Sequence, residues 1–153
     1  MAEKTEINKV SKKLAEDLLK KAGVEAKVEI KVEDETVLVN ILGDDLGILI
    51  GFHGETLKAL QILLGVMINR KVGGEWRRVV VDVANWRSSR QVSLEEMATK
   101  ALTQVVETGE SLALPPMTPD ERRLIHLYLQ EKGDVISHSE GEGNERHIVI
   151  SPK

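Results

Sequence analysis

Ten residues in the first half of the chain decide the fold, Ile48-Leu49-Ile50-Gly51-Phe52-His53-Gly54-Glu55-Thr56-Leu57. Two glycines three positions apart separate two apolar segments of helical character. Because glycine accepts positive φ and has no Cβ, the backbone here can approach a ligand closely. Gly54 also precedes a helix, whose first amides and dipole suit a phosphate. The pattern alone is weak evidence, since a plain turn between two helices has the same requirements.

The segments around these glycines predict an α+β unit. The helix after Gly54 is apolar around most of its circumference, which predicts that it is covered on more than one side. An Asp at 44 or 45 is the expected N-cap of the helical turn before Gly51. The expected elements, in the order helix, strand, strand, helix, helix, strand, cover residues 4–21, 24–32, 36–42, 44–50, 55–70 and 77–83.

Beyond residue 83 the pattern changes to a second α+β unit. A long amphipathic helix is expected over 88–108, followed by a short extended piece at 112–114. Thr118-Pro119-Asp120-Glu121 has the spacing of a capping box with proline at the first helical position, and Gly133 ends that helix. Two strands, 135–139 and 147–150, flank a glycine-rich turn. The boundary is expected between Val83 and Ser88, which gives domains 1–86 and 87–153.

The composition excludes several classes of protein. The chain has 153 residues, of which 41% are hydrophobic and 3% aromatic, so its cores are aliphatic. Cysteine is absent, which excludes disulfides and thiolate metal sites and suits a reducing cytoplasm. No signal peptide is visible, and no segment reaches the roughly 18 apolar residues of a membrane helix. We expect a cytoplasmic protein without membrane insertion.

Catalytic motifs are also missing from the sequence. The four histidines, at 53, 126, 138 and 147, have no metal-binding spacing, and no P-loop or nucleophile motif occurs. Ser88-Ser89 lies near Asp82 without a placed histidine and is better explained as a helix cap. We therefore expect a binding protein and not an enzyme, with no catalytic residues, no metal site and no cofactor.

Charge is distributed unevenly along the chain. The net charge is −4, which argues mildly against nucleic-acid binding. Residues 51–90, however, carry seven basic and three acidic side chains. We call the seven the central basic set: Lys58, Arg70, Lys71, Arg77, Arg78, Arg87 and Arg90. They form either an ordinary solvated face or a local phosphate-binding surface.

In this context the stretch around Gly51 resembles the I-G-x-x-G-x-T-L core of a KH domain, in the type II order of elements. Leu57-Lys58-Ala59-Leu60-Gln61 and Asn69-Arg70 look like the KH unit of the Jag (SpoIIIJ-associated) family, over roughly residues 4–85. The resemblance implies nucleic-acid contacts at Gly51, Phe52, His53 and Gly54. Aspartate at both glycines would then abolish binding without unfolding the protein.

The two central positions of the loop depart from the KH pattern. KH loops usually carry Lys or Arg at one of them, whereas Phe52 and His53 stand here. The fixed positive charge of the loop is therefore missing, and Lys58, one turn along the helix, supplies part of it. Phe52 either stacks on a base or packs against the protein.

The string from Leu114 to His126 resembles the small single-strand-binding domain named for an Arg and a His separated by three residues, the R-3-H domain. The similarity covers roughly residues 87–152 and implies helices packed on a three-stranded sheet. It also implies that Arg122 and His126 share a helix face on a single-strand nucleic-acid surface. Basic positions of that family are matched at Arg90, Arg123 and, on the last strand, Arg146. His147 stands where another Arg is frequent.

Both resemblances together predict a bacterial Jag-type protein that binds single-stranded RNA, with single-stranded DNA left open. Such a protein regulates RNA after transcription or acts in cell-envelope growth or sporulation. Expected partners are RNA, a second small KH protein and envelope-associated proteins. The alternative is a protein-interaction adaptor in cell elongation or sporulation with little RNA binding. Many Jag proteins carry a further module before the KH unit, whereas this chain begins at the KH helix.

Overall fold

Three helices and three strands build the first part of the computed structural model, which describes residues 1–153. They are α1 (Ala2–Lys21), β1 (Lys27–Glu33), β2 (Thr36–Leu42), α2 (Gly47–Ile50), α3 (Glu55–Val72) and β3 (Arg78–Val83). The order of elements expected for a type II KH domain is confirmed. The chain divides into two units, Met1–Arg87 and Ser88–Lys153.

The sheet of the first unit places β2 between the other two strands. β1 pairs with β2 antiparallel, and β3 pairs with β2 in parallel. Alternate residues of β2 face the core, where Val37, Val39 and Ile41 are fully buried. α1 and α3 pack against this sheet and bury Leu19 and Leu64 with it. This packing fixes where α3 begins, and so where the glycine loop lies.

α3 packs against β3, α1 and α2, so it is covered on more than one side as expected, but one apolar face stays exposed within the first unit. Leu57, Leu64 and Ile68 are buried towards the sheet. Ile62, Leu63 and Val66 remain exposed, at 62%, 47% and 41% of their surface. We call these three residues the outer apolar seam. α3 therefore carries more apolar side chains than its own unit buries.

The second unit packs two helices on a three-stranded sheet, as the R-3-H resemblance implied. Its elements are α4 (Trp86–Thr108, which starts in the first unit), β4 (Leu112–Ala113), α5 (Pro119–Lys132), β5 (Val135–Glu140) and β6 (His147–Pro152). The strands are antiparallel in the order β4-β6-β5. Leu94 and Ala98 of α4 share a core with Ile125 of α5 and with Ile148 and Ile150 of β6.

The start of α5 follows the predicted capping box. The Thr118 hydroxyl accepts a hydrogen bond from the Glu121 amide at 3.3 Å, and the Glu121 carboxylate accepts one from the Thr118 amide at 3.2 Å. Pro119 occupies the first position, and Gly133 ends the helix in the left-handed conformation. The helix that carries Arg122 and His126 therefore has both ends fixed by local sequence.

Three predicted element starts are wrong, each for a local reason. Leu46, and not an aspartate, precedes α2, because Asp45 adopts a φ of 53° that is unsuited to an N-cap. β1 begins at Lys27, because the Val24 amide still closes the end of α1 on the Leu19 carbonyl. α4 begins at Trp86, which places Ser88 and Ser89 inside the helix. None of the helices combines the length and apolar character that a membrane crossing requires.

Candidate nucleic-acid interface

The glycine loop is a tight connection between α2 and α3. Gly51 ends α2 with a φ of 72°, and a single 3-10 turn covers Phe52–Gly54. His53 and Gly54 both have positive φ, 51° and 81°. Gly54 is the N-cap of α3 and contributes no side-chain hydrogen bond to its first turn. The first amides of α3 are therefore left without a capping side chain, which suits an anionic ligand.

Both glycines are required by their surroundings as well as by φ. A Cβ on Gly51 would lie 2.2 Å from the Thr56 hydroxyl, and one on Gly54 would lie 2.6 Å from Cη2 of Trp86. The expectation that aspartate at both positions leaves the protein folded is therefore not supported by this geometry. Any side chain at Gly51 or Gly54 has to displace Thr56 or the indole.

The central positions of the loop are more accessible. Phe52 is 75% exposed, and its ring meets the His53 ring edge-on with centroids 4.1 Å apart. Lys58 is exposed on the next turn of α3. The exposure of Phe52 favours stacking over internal packing. Its assignment and those of Gly51, His53, Gly54 and Lys58 as contacts remain predictions.

Part of the central basic set is engaged inside the protein. Arg77 pairs with Glu3 of α1. Arg87 donates to the Val81 carbonyl at 3.2 Å and to the Gln61 side chain at 2.9 Å. The remaining exposed members of the first unit are Lys58, Arg70, Lys71 and Arg78. The count of basic residues in the sequence thus overstates the charge available to a ligand.

Arg90 forms an ion pair inside the second unit. Its Nε donates to the Glu121 carboxylate at 2.7 Å, and Glu121 retains only 9% of its side-chain exposure. The same carboxylate group completes the capping box at Thr118. Arg90 therefore holds the start of α5, and its assignment as a nucleic-acid contact stays a prediction.

The Arg-x-x-x-His pair is anchored by two other residues. Arg122 is half-buried, and its guanidinium donates to the Met117 carbonyl at 2.7 Å. His126 is exposed and its Nδ1 lies 2.7 Å from the Ser137 hydroxyl on β5. Arg123, next to Arg122, is exposed. The surface near the start of α5 thus offers one anchored and one exposed guanidinium.

Arg146 lies just before β6, so its expected place on the last strand is wrong. A 3-10 turn over Gly143–Glu145 ends at Arg146, whose amide donates to the Gly143 carbonyl. Its guanidinium donates to the Gly141 carbonyl at 2.9 Å. This contact fixes the turn before the strand, and a role of Arg146 in nucleic-acid binding remains a prediction.

Sequence reasoning did not single out three residues that shape these sites. Trp86 packs against Gly54, Ser137 holds His126, and Glu121 binds Arg90. Glu121 was visible as part of a capping box, but its partner lies 31 residues earlier on another helix. No periodicity or local motif reports a contact of that range.

Comparison with known families agrees with these two units. Residues 9–83 match the KhpA/KhpB KH domain, and residues 92–152 match the R-3-H domain. The chain is 41% identical over 130 residues to RNA-binding protein KhpB of Clostridium symbiosum, covering 85% of this chain and 58% of that protein. It is 38% identical over 128 residues to RNA-binding protein KhpB of Bacillus subtilis, covering 82% and 61%.

A third relative, RNA-binding protein KhpB of Lactiplantibacillus plantarum, is 34% identical over 134 residues, which are 88% of this chain and 41% of that protein. The chain therefore belongs to the Jag family, whose members join a KH domain to an R-3-H domain. It spans about three fifths of the length of the first two relatives. Neither of the two matched family descriptions names an enzymatic activity.

The ion pair of Arg90 predicts a structural role that can be measured. We expect Arg90→Ala to destabilise the second unit by about 2 kcal/mol, because it removes the charged partner of the nearly buried Glu121 carboxylate. Amide hydrogen exchange in α5 should rise accordingly. Arg123→Ala, which removes an exposed guanidinium two residues after Glu121 in the same helix, is the control and should leave exchange unchanged. An unchanged α5 in Arg90→Ala would contradict the structural role.

Proposed function

We propose that this chain binds single-stranded RNA through two sites, one in each unit. In the first unit the backbone amides of the Gly51–Gly54 loop and the start of α3 receive a phosphate. In the second unit Arg122, Arg123 and His126 contact the strand. An RNA ligand of this kind is met in the cytoplasm, which is where we place the protein.

The observation that carries the proposal is the geometry of the glycine loop. Gly54 is itself in the left-handed backbone conformation, precedes the 18-residue helix α3 and provides no side-chain cap. The amides of the first turn and the helix dipole then act on the same anion. Phe52, 75% exposed beside these amides, offers a ring on which a base can stack. No fixed charge in the loop is needed for either contact.

The second site works through side chains. Arg122 has a guanidinium that the Met117 carbonyl holds in place, so little of its rotamer freedom is left to be lost on binding. Arg123 adds an exposed charge on the neighbouring face of α5. His126, held by Ser137, can donate to a phosphate or a base. Two linked sites raise the effective concentration of the second after the first has bound.

The loop site predicts a specific sensitivity to negative charge. We expect Phe52→Asp with His53→Asp to weaken binding of a fluorescein-labelled single-stranded RNA by at least about tenfold, because the carboxylates lie beside the phosphate. Aspartate tolerates the positive φ of His53, so the backbone is preserved.

The matched control is Phe52→Ser with His53→Asn, which removes both rings without adding charge. The affinity of each variant for the labelled RNA, and for a labelled single-stranded DNA of the same sequence, is measured by fluorescence anisotropy. Circular dichroism verifies that both variants are folded. If the acidic and neutral variants bind equally, the phosphate does not lie at the loop.

The second site predicts a change in salt dependence. We expect Arg122→Ala to flatten the slope of log affinity against log salt by roughly one unit, as for one lost phosphate contact. Loss of the bond to the Met117 carbonyl should also cost about 1 kcal/mol of stability. His126→Ala should weaken binding without changing the slope.

The melting temperature of Arg122→Ala, measured together with its RNA affinity at several salt concentrations, separates a binding role of Arg122 from a structural one. A destabilised Arg122→Ala protein with an unchanged slope would assign Arg122 to the scaffold. The site would then move to Arg123, Arg90 and Arg146, each of which can be tested in the same way.

A second candidate function is docking of a protein, and the outer apolar seam favours it. Ile62, Leu63 and Val66 lie within about one turn of each other on an exposed helix face, which is a typical contact surface between helices. We propose a second small KH protein as its occupant. Such a contact is compatible with RNA binding and is also what an adaptor would need.

The seam predicts an association that can be lost independently of RNA. We expect Ile62→Gln, Leu63→Gln and Val66→Gln together to abolish nuclease-resistant association with a KH partner protein, because the apolar area is removed while helix propensity is retained. Affinity for the labelled RNA should stay within about twofold. A partner that is retained by the triple variant would show that docking uses another surface.

A further inference from the structure

Trp86 lies between the two matched domain segments, which end at residue 83 and resume at residue 92. Its indole nevertheless packs against the glycine loop. A Cβ on Gly54 would lie 2.6 Å from Cη2 and 2.8 Å from Cζ3 of the ring, so the ring occupies the space beside the Gly54 backbone. Trp86 is partly buried and also packs against the core of the first unit.

An unusual turn brings the indole to this place. Ala84 and Asn85 join β3 to α4, and both have positive φ, 49° and 55°. Alanine rarely adopts this conformation, and such residues persist only where surrounding structure holds them. The Ala84 amide is held by the Ile41 carbonyl at 2.9 Å. The turn at Ala84 and Asn85 therefore fixes the position of Trp86, which follows it directly.

The residues on either side of Trp86 are fixed as well. Asp82 accepts a hydrogen bond from the Val83 amide at 2.9 Å and a longer one from the Arg87 amide at 3.4 Å. The Arg87 guanidinium binds the Gln61 side chain on α3, which also accepts from the Val81 amide. Trp86 is thus tied through its neighbours to the same helix that Gly54 begins.

We propose that Trp86 is a positioning residue for the phosphate-binding loop. Gly54 has no side chain of its own to restrict it, and glycine is the most flexible residue in a chain. The indole restricts Gly54 from one side, as Thr56 restricts Gly51. The first amides of α3 are then held in the orientation that receives a phosphate before the ligand arrives, which lowers the entropy lost on binding. The inference rests on the proposed function of the loop.

The first test needs no ligand. Amide hydrogen exchange of residues 52–57 is measured in the full chain with Trp86→Ala, Trp86→Phe and Trp76→Ala. Trp76 is 68% exposed and makes no such contact with a glycine, so it is the matched control. We expect exchange in the loop to rise about tenfold in Trp86→Ala, to rise little in Trp86→Phe, and to stay unchanged in Trp76→Ala.

Exchange across the β1–β2 hairpin in the same samples distinguishes positioning from general support. A rise confined to the loop supports the proposal. A loop that exchanges as in the unaltered protein, or a rise of equal size across β1 and β2, overturns it.

The second test measures affinity for the labelled single-stranded RNA at a temperature where all variants are folded. Trp86→Ala should bind about tenfold more weakly, and Trp86→Phe should recover most of the affinity. Equal affinity of Trp86→Ala and the unaltered chain overturns the proposal while RNA binding stands. If the unaltered chain binds no RNA but the loop still loosens in Trp86→Ala, the proposed function fails and the positioning role stands.

Discussion

Close approach of two side chains to two glycines is the constraint on which the conformation of the loop, and with it the proposed site of the first unit, depends. Thr56 occupies the space beside Gly51, and Trp86 occupies the space beside Gly54. Both contacts exist only because neither glycine has a Cβ. They hold a loop whose backbone, at positive φ in three of four residues, has little intrinsic reason to adopt one conformation. The loop motif is therefore incomplete without a residue that lies outside it.

The sequence predicted those parts of the fold that local signals define. β2 and the end of α5 fall at the expected residues, because alternation, a capping box and a terminal glycine are short-range features. The start of α4 was misplaced, since Asp82 and the turn after it replace the expected serine cap. The covering of α3 on several sides was predicted, but its exposed face was not, because apolar periodicity does not show which element buries each residue.

The motifs of the candidate site could be predicted from the sequence, but the residues that hold their side chains in place could not. The glycine loop and the Arg-x-x-x-His spacing are visible as patterns, but the partners of their side chains come from other elements. Met117 and Ser137 hold Arg122 and His126, and Glu121 holds Arg90 across 31 residues. These pairings arise only when helix and strand are packed together, so charge counted along the chain cannot separate structural arginines from ligand-binding ones.

A negative net charge is compatible with RNA binding when one of the two proposed sites binds through backbone amides and stacking and only the other binds through basic side chains. The loop offers backbone amides and a ring, whose interactions with phosphate and base require no surplus of basic side chains. The second site offers guanidinium groups, and their contact with phosphates releases the counterions that are bound to the nucleic acid. Salt dependence should then come mainly from α5, while the loop contributes affinity that salt affects less. The presence of Phe52 and His53 in place of a basic residue leaves the backbone amides and adds an exposed ring, so the loop keeps the groups on which the proposed binding depends.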